Sequence, residues 1–373
     1  MANEDDFSSD AEHRSEITGH MRKLRIALGE QIGARAPIYL DTKYWIYLRD
    51  AALGRPQEDN HPRLLEDLRK LVRQGRAFCP VSAPTILELL KQTVRESQVV
   101  VATLVDELSQ SIGLCSEEER AATEVAYLMH RYSGKDLHPL HHLVWVKLPL
   151  VFGQPAWRLD GLSTEQAEHL SQAMIDSLWR GQLSDFLPRW ESPDFNSHDF
   201  ETLATKLNSG NAAHVDEMNS FAAVYLSEIS GALDLVAHVG CEVIEKRFES
   251  EVREPANLTA EIREDTRTKV RALLIGIAEQ GKGASAFPTL HVHGLCHASN
   301  RWNRQRRLNG NTLLDFHHVA AALPYCRVFM TEHGMRGFLA NKQFHLERDF
   351  RCKVVSKADD ALAAVGEIAE GRE

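Results

Sequence analysis

Short apolar runs alternate with helical patterns near the start of the chain. Residues 38–40 form an apolar run, and the aromatic-rich residues 44–48 suit a helix packed on a sheet. Leucines at helical spacing between 64 and 72 predict the next helix, and residues 77–81 predict the next strand. Ser82 is placed to cap a further helix. Strands that alternate with helices predict a parallel sheet.

The same alternation returns after residue 310. The pattern predicts helices at 313–323, 334–339 and 359–368, with short strands at 328–330 and 353–355. The two α/β segments, 37–96 and 285–373, together have a usual size for one domain. We therefore predict an α/β fold in which a three-layer core with a central parallel sheet is built from both segments.

Between these two segments, residues 97–284 show mostly amphipathic helical patterns. Ser163 with Gln166 matches the capping box that opens many helices. We predict a large all-helical insertion domain at 97–284. Residues 1–36 are predicted to be a polar N-terminal tail that continues into a short helix near 21–28.

Composition restricts the class of protein. Hydrophobic residues make up 43% and charged residues 26%, which is ordinary for a globular protein with a sizeable core. The net charge of -10 means that any contact with nucleic acid must be local. The six cysteines include no C-x-x-C pair, which argues against a zinc ribbon or a disulfide scaffold. The acidic N-terminus and the lack of a long apolar run favour a cytoplasmic protein without membrane association.

Four acidic residues occupy comparable places in this α/β pattern. Asp41 follows the first strand, and Glu88 lies in the helix after the second. Asp315 lies in the first turn of a predicted helix, and Glu332 follows another strand. The carboxyl ends of parallel strands and the N-termini of helices meet at one edge of a sheet, where ligands bind. Clustered carboxylates repel one another unless a cation is bound, so the set predicts Mg²⁺ or Mn²⁺, although each acid alone is more often a cap or a solvated residue.

Three segments that contain these acids resemble the PIN-domain family of nucleases. They are residues 38–42 (IYLDT), 82–89 (SAPTILEL) and 315–332 (DFHHVAAALPYCRVFMTE). The third is the most specific, because an acid, a histidine and small residues on a helix are followed by a tyrosine turn and a strand that ends in threonine and an acid. The resemblance covers the two flanking segments and not the insertion.

The resemblance implies a metal-dependent endoribonuclease that hydrolyses phosphodiester bonds of single-stranded RNA. Asp41, Glu88 and Asp315 would be the catalytic metal ligands for Mg²⁺ or Mn²⁺, and Glu332 would be a fourth metal ligand. Many relatives have an acid at the position of Arg327 and an aspartate at the position of Glu332, which leaves one ion and two ions both open. Such ions activate water for attack on a phosphate and stabilise the leaving oxygen.

One dense basic run, residues 301–307 (RWNRQRR), lies just before Asp315. Arginines fork onto phosphates and tryptophan stacks on bases, which is how single strands are commonly held. The predicted substrate-binding residues are Arg301, Trp302, Arg304, Arg306 and Arg307. An exposed helix face that pairs with acidic surface is the alternative interpretation.

Histidines lie in two further places of interest. The segment 291–297 contains three histidines and a cysteine, but their spacing fits no standard zinc motif, so a buried structural segment is the favoured interpretation. His317 and His318 directly follow Asp315 and Phe316. Contact with the phosphate and packing against the sheet are both open for these two residues.

Two other classes of function stay open. A DNA or flap nuclease would use the same metal chemistry, whereas a non-catalytic RNA-binding or regulatory PIN-like module would keep the fold without cutting. The resemblance is also compatible with a toxin or defence effector that an inhibitory protein partner restrains, and with a homo-oligomer. The insertion could cover the cleft, select the substrate or bind such a partner.

Overall fold

The computed structural model of the chain describes residues 4–91, 94–132, 134, 137–155, 157, 161–186, 197–213, 219–253, 256, 258–344 and 349–371. Its α-helices are α1 (Glu4–Ile32), α2 (Thr42–Ala52), α3 (His61–Arg73), α4 (Ala83–Leu90), α5 (Arg95–Ser109), α6 (Glu117–Tyr132), α7 (Thr164–Trp179), α8 (Leu183–Phe186), α9 (Ser197–Ala213), α10 (Phe221–Val252), α11 (Ala260–Glu279), α12 (Gly283–Ala286), α13 (Pro288–Trp302), α14 (Gly310–Tyr325), α15 (His333–Leu339) and α16 (Ala358–Glu370). Its strands are β1 (Ala36–Leu40), β2 (Ala77–Phe78), β3 (Ile112–Leu114), β4 (Trp145–Lys147), β5 (Val328–Met330) and β6 (Lys353–Val355).

A four-stranded parallel sheet has the strand order β2-β1-β5-β6. In the pair β1–β2, Ala36 lies opposite Ala77. In the pair β5–β6, Phe329 lies opposite Val354, and the backbone N–H of Thr331 extends the ladder by donating to Val355. The predicted mixed α/β fold with a parallel sheet is therefore confirmed, and the PIN-like character of its core stays a prediction.

Contacts between residues divide the chain into two compact units. Unit 1 comprises Met1–Ser116, His138–Glu191 and Val365–Glu373, and unit 2 comprises Glu117–Leu137 and Ser192–Ala364. This division groups the segments differently from the predicted flanking core and 97–284 insertion. The predicted domain boundaries stay a prediction.

Unit 1 buries β1 beneath the apolar faces of its helices. The three last residues of β1 are fully buried, and so are Trp45 and Leu48 of α2. The leucines of α3 recur at helical spacing, which gives this helix one buried face, formed by Leu64, Leu65, Leu68 and Leu71. Gly75 follows α3 with φ 67°, a left-handed conformation that glycine adopts without strain at the end of a helix.

A two-stranded antiparallel sheet, β3–β4, lies inside the segment predicted to be all-helical. Leu114 lies opposite Trp145, and Gly113 forms a parallel bridge with Val81. A Cβ at Gly113 would lie 2.9 Å from the carbonyl oxygen of Val81, so glycine is required at this close approach. The all-helical prediction for 97–284 is wrong here, because periodicity alone does not distinguish a short apolar strand from a buried helix segment.

The first helix is longer than the sequence pattern indicates. Helix α1 begins at Glu4, so the helix predicted near 21–28 is the C-terminal part of a longer one. Its second half is anchored by the buried residues Met21, Leu28 and Ile32. The segment 4–18 contains neither proline nor glycine, and its polarity suits a helix as well as the predicted tail.

Unit 2 is built mainly from helices that pack around α10 and α13. Helix α10 is 32 residues long, and it is the one helix of the described residues whose length and apolar composition would allow a membrane crossing. The sequence pattern predicts no apolar segment of this length, and α10 corrects that prediction. One such helix is weak evidence for a membrane span; α10 packs on α11 and α13, and 28% of its most apolar window is buried. The cytoplasmic location stays a prediction.

Candidate functional site

Two of the predicted metal ligands are found at the carboxyl end of β1 in unit 1. Asp41 follows β1 directly and caps α2, with one carboxylate oxygen 3.2 Å from the backbone N–H of Tyr44. The hydroxyl of Thr42, the next residue, donates a hydrogen bond to the carboxylate of Glu88 on α4. The side chain of Asp41 is largely buried and that of Glu88 is half-buried. The structure thus brings two acids from distant parts of the sequence to one end of the strand.

A buried hydroxyl network holds α4 in place beside β1. The hydroxyl of Tyr39 on β1 lies 2.5 Å from Ser82 Oγ and 3.1 Å from Thr85 Oγ1. All three side chains are buried. Ser82 occupies the N-cap position of α4, as predicted, while its hydroxyl contacts the strand. Because buried hydroxyls need partners, this network fixes the orientation of the helix that carries Glu88.

The other two predicted ligands lie on elements of unit 2. Helix α14 begins at Gly310, three residues before the predicted start, so the half-buried Asp315 is in its second turn and not its first. Glu332 is exposed and is the N-cap residue of α15. The ring of Phe316 stacks on that of Phe338 at 5.6 Å, which packs α14 against α15. That all four acids bind metal together stays a prediction.

The basic run forms one wall of a cleft in unit 2. The cleft has a volume of about 160 Å³ and is lined by Asn208, Asn211, Ala212, Arg301, Asn303, Arg304, Arg306 and Arg307. Arg301 pairs with Glu228 at 2.9 Å, whereas Arg304, Arg306 and Arg307 are exposed. The guanidinium of Arg306 also lies 4.5 Å from the ring centre of Phe338, on the helix that Glu332 caps. Trp302 is outside the lining of this cleft; it is 38% exposed, and its ring lies edge to face with that of Phe221 at 6.2 Å.

A cluster of one glutamate and two histidines lies elsewhere in unit 2, and the sequence analysis did not predict it. Glu117 stands at the start of α6, His293 on α13 and His317 on α14. Nδ1 of His293 lies 2.8 Å from one carboxylate oxygen of Glu117, and Nδ1 of His317 lies 2.6 Å from the other. These three residues can each offer one ligand atom within 4.8 Å of the others, which is compatible with a metal ion.

The electrostatics of this cluster favour a charged carboxylate. Burial alone would raise the pKa of Glu117, but the adjacent His293 and His317 outweigh it and hold the pKa well below its usual value. Burial opposes charge on His293, yet Glu117 raises its pKa overall. His297, on the same face of α13, has its pKa lowered to about 3 by burial and by the two neighbouring histidines.

One histidine of this cluster, His293, lies in a histidine-rich segment of the sequence. His293 and His297 are four positions apart and therefore share one face of a helix. Glu117 lies in the segment predicted to be an insertion, so no local spacing connects it with them. Of the pair after Asp315, His318 is buried by packing, and His317 contacts Glu117.

A second buried carboxylate, Glu124, joins three helices of unit 2. It accepts hydrogen bonds from the backbone N–H and the hydroxyl of Thr289 on α13, and from the hydroxyl of Tyr325 on α14. Its side chain is fully buried. Burial raises its pKa to about 7, although the bonds from Thr289 and Tyr325 and the charge of Arg120 act in the opposite direction. The arrangement is structural in character, since every donor comes from the helices that it joins.

The raised pKa of Glu124 predicts a loss of stability at higher pH. Between its ordinary value of 4.5 and about 7, the folded protein holds this proton more tightly than the unfolded chain does. The free energy of unfolding should therefore fall by about 3 kcal/mol as the pH rises through this interval. Urea unfolding of the wild type and of Glu124→Gln at pH 4.5 and pH 7 measures this contribution as the difference between their pH slopes. Equal slopes in the two proteins would contradict the prediction.

Comparisons of the chain with protein-family models, with curated proteins and with solved structures find no match. The similarity to PIN domains therefore depends on the three sequence segments given above, and it stays a prediction. Any conclusion about function has to come from the residues and contacts of this chain.

Proposed function

We propose that the chain is a metal-dependent endoribonuclease with a PIN-like core. Asp41, Glu88 and Asp315 are its metal ligands, and Glu332 is a fourth ligand when a second ion binds. The contact between Thr42 and Glu88 is the observation that supports the proposal most. Thr42 follows Asp41 directly, so this contact brings the side chain of Glu88 to the strand end where Asp41 lies. Helix capping alone explains Asp41, but it gives no reason for a second carboxylate beside the cap.

The donor atoms in this proposal suit Mg²⁺ or Mn²⁺. Carboxylate oxygens are the ligands that hard divalent cations prefer, and the partial burial of Asp41 and Glu88 makes an uncompensated pair of charges unfavourable. When bound, such an ion supplies Lewis-acid activation of water and neutralises charge on the phosphate. Thr42 orients Glu88 for this role, and the hydroxyl network of Tyr39 keeps α4 from shifting.

The exposed arginines supply a local attraction for the RNA backbone. The chain as a whole is acidic, with a net charge of -10, so non-specific attraction to a polyanion is weak. Arg304, Arg306 and Arg307 concentrate positive charge at one cleft, and Trp302 adds a partly exposed ring. A single strand suits these groups because its bases are free to stack.

Removing two of these arginines should weaken RNA binding in a salt-dependent way. For Arg304→Ala with Arg307→Ala, we expect weaker binding of single-stranded RNA and a logarithmic salt slope reduced by roughly 0.7 per lost phosphate contact. Fluorescence anisotropy at several salt concentrations measures the slope. Arg63→Ala, which removes an exposed arginine of α3, is the matched control and should leave the slope unchanged. An unchanged slope in the double variant would show that the run does not bind the backbone.

The proposed activity is tested with a panel of labelled nucleic acids. Purified protein is incubated with single-stranded RNA, single-stranded DNA and duplex, each with Mn²⁺ or with chelator. We expect internal cleavage of the single-stranded RNA with Mn²⁺ and none with chelator. Cleavage of DNA in preference to RNA would identify a DNA nuclease instead. Binding of RNA without cleavage would identify a binding module and overturn the proposal.

A further inference from the structure

We propose that Glu117, His293 and His317 form a binding site for a transition-metal ion, with Zn²⁺ as the ion that fits best. The site shares no residue with the carboxylates of the proposed nuclease centre and uses a different class of donor. It therefore goes beyond the proposed function and holds whether or not the chain cleaves RNA.

The geometry of the three side chains supports a shared ion. The two imidazoles present the same atom, Nδ1, to opposite oxygens of one carboxylate, at 2.8 Å for His293 and 2.6 Å for His317. Tetrahedral zinc with bonds of about 2.0 to 2.1 Å separates its ligand atoms by about 3.3 Å. The three ligand atoms lie within 4.8 Å of one another, so side-chain rotations that move them by up to about 1.5 Å bring them to this spacing.

The donor set selects the kind of ion. Mg²⁺ and Ca²⁺ take oxygen ligands almost exclusively, whereas imidazole nitrogen suits zinc and its first-row neighbours. Two histidines and one carboxylate are also the protein ligands of several zinc sites that keep a position open. The ring of His297 packs beside the cluster, with its centre 5.0 Å from that of His293.

The position of the cluster allows an ion to enter from solvent and to connect three helices. The side chains of Glu117, His293 and His317 are 23%, 19% and 29% exposed, so an ion can reach them from solvent. Each comes from a different helix, α6, α13 or α14. An ion that binds only the folded state stabilises it by an amount that grows with the logarithm of its concentration relative to its dissociation constant, so zinc should raise the melting temperature.

The same contacts could also exist without metal, as hydrogen bonds between a carboxylate and two imidazoles, and the experiment separates the two cases. Full-length protein is stripped with chelator and given one equivalent of Zn²⁺ with excess Mg²⁺, which occupies oxygen-donor sites. Bound zinc is then measured after gel filtration, and X-ray absorption reports its ligands. We expect about one zinc per chain with imidazole nitrogen ligands. No retained zinc, or a shell of oxygen ligands only, would overturn the proposal.

Variants locate the bound zinc on the chain. His293→Gln and His317→Gln should each lose the retained zinc and the rise in melting temperature. His238→Gln and Glu118→Gln, which change exposed residues, are the matched controls and should keep both. Asp41→Asn should also keep the zinc, so failure of this site and failure of the nuclease site are distinguishable. Zinc retained by both histidine variants would overturn the proposal, and the absorption spectrum of the wild type decides the matter if a variant does not fold.

Discussion

Replacing Asp41 with asparagine should abolish the cleavage of single-stranded RNA. Changing a residue that only hydrogen-bonds to a metal ligand lowers metal affinity or activity by up to about 100-fold. Removing a ligand itself should lower the cleavage rate by more than that. The amide oxygen of asparagine can still accept the hydrogen bond from the backbone N–H of Tyr44, so α2 keeps its cap. The negative charge that attracts the ion is lost. Initial cleavage rates with Mn²⁺ measure the effect, and urea unfolding shows that the fold is kept.

Two further variants separate the role of Asp41 as a ligand from its role as a cap. Asp41→Ser provides another good helix cap without a carboxylate, and it should be as inactive as the asparagine variant. Asp59→Asn removes an exposed acid from the loop before α3 and should cleave at the wild-type rate. Activity close to that of the wild type in Asp41→Ser would show that Asp41 is only a cap.

Replacing Glu124 with alanine should strongly lower the free energy of unfolding. The carboxyl group of Glu124 is the acceptor for two donors of Thr289 and for the hydroxyl of Tyr325, all of them buried. Each buried polar group left without a partner costs about 1 to 3 kcal/mol. We therefore expect the free energy of unfolding, measured by urea denaturation at pH 6, to fall by about 3 kcal/mol or more.

One control variant keeps a hydrogen-bond acceptor at position 124, and the other leaves Glu124 in place and changes an exposed glutamate of the same helix. Glu124→Gln retains an oxygen acceptor and should lose much less stability than the alanine variant. Glu118→Ala removes an exposed glutamate from the first turn of the same helix and should change stability only slightly. A small effect of Glu124→Ala would mean that the three donors find other partners, and that this carboxylate does not hold α6, α13 and α14 together.

The strands that carry the predicted site could be found from the sequence because each is an apolar run between helices. Residues 38–40, 328–330 and 353–355 were predicted as strands and are found in β1, β5 and β6. The pair β3–β4 could not be found in this way. Its strands lie among helical patterns, where a short apolar run also suits a buried helix segment, and their partners are distant in sequence, as in the bridge between Gly113 and Val81.

The candidate sites were predictable to different degrees. Topology places Asp41 at a strand end and Glu88 in the helix after the next strand, and in the structure Glu88 accepts a hydrogen bond from Thr42, the neighbour of Asp41. The cluster around Glu117 could not be predicted, because its three residues come from separate helices and share no local spacing. Periodicity identifies which face of a helix is buried, but it does not say which distant side chain will meet it.

The central claim, that a bound metal ion acts on an RNA phosphate, is tested most directly by sulfur substitution at the scissile bond. A single-stranded RNA that carries sulfur in place of one non-bridging oxygen is compared with the natural RNA, with Mg²⁺ and with Mn²⁺. We predict that the sulfur slows cleavage strongly with Mg²⁺ and that Mn²⁺, which accepts sulfur more readily, restores it. An equal effect of sulfur with both ions, or cleavage that persists in chelator, would contradict the account.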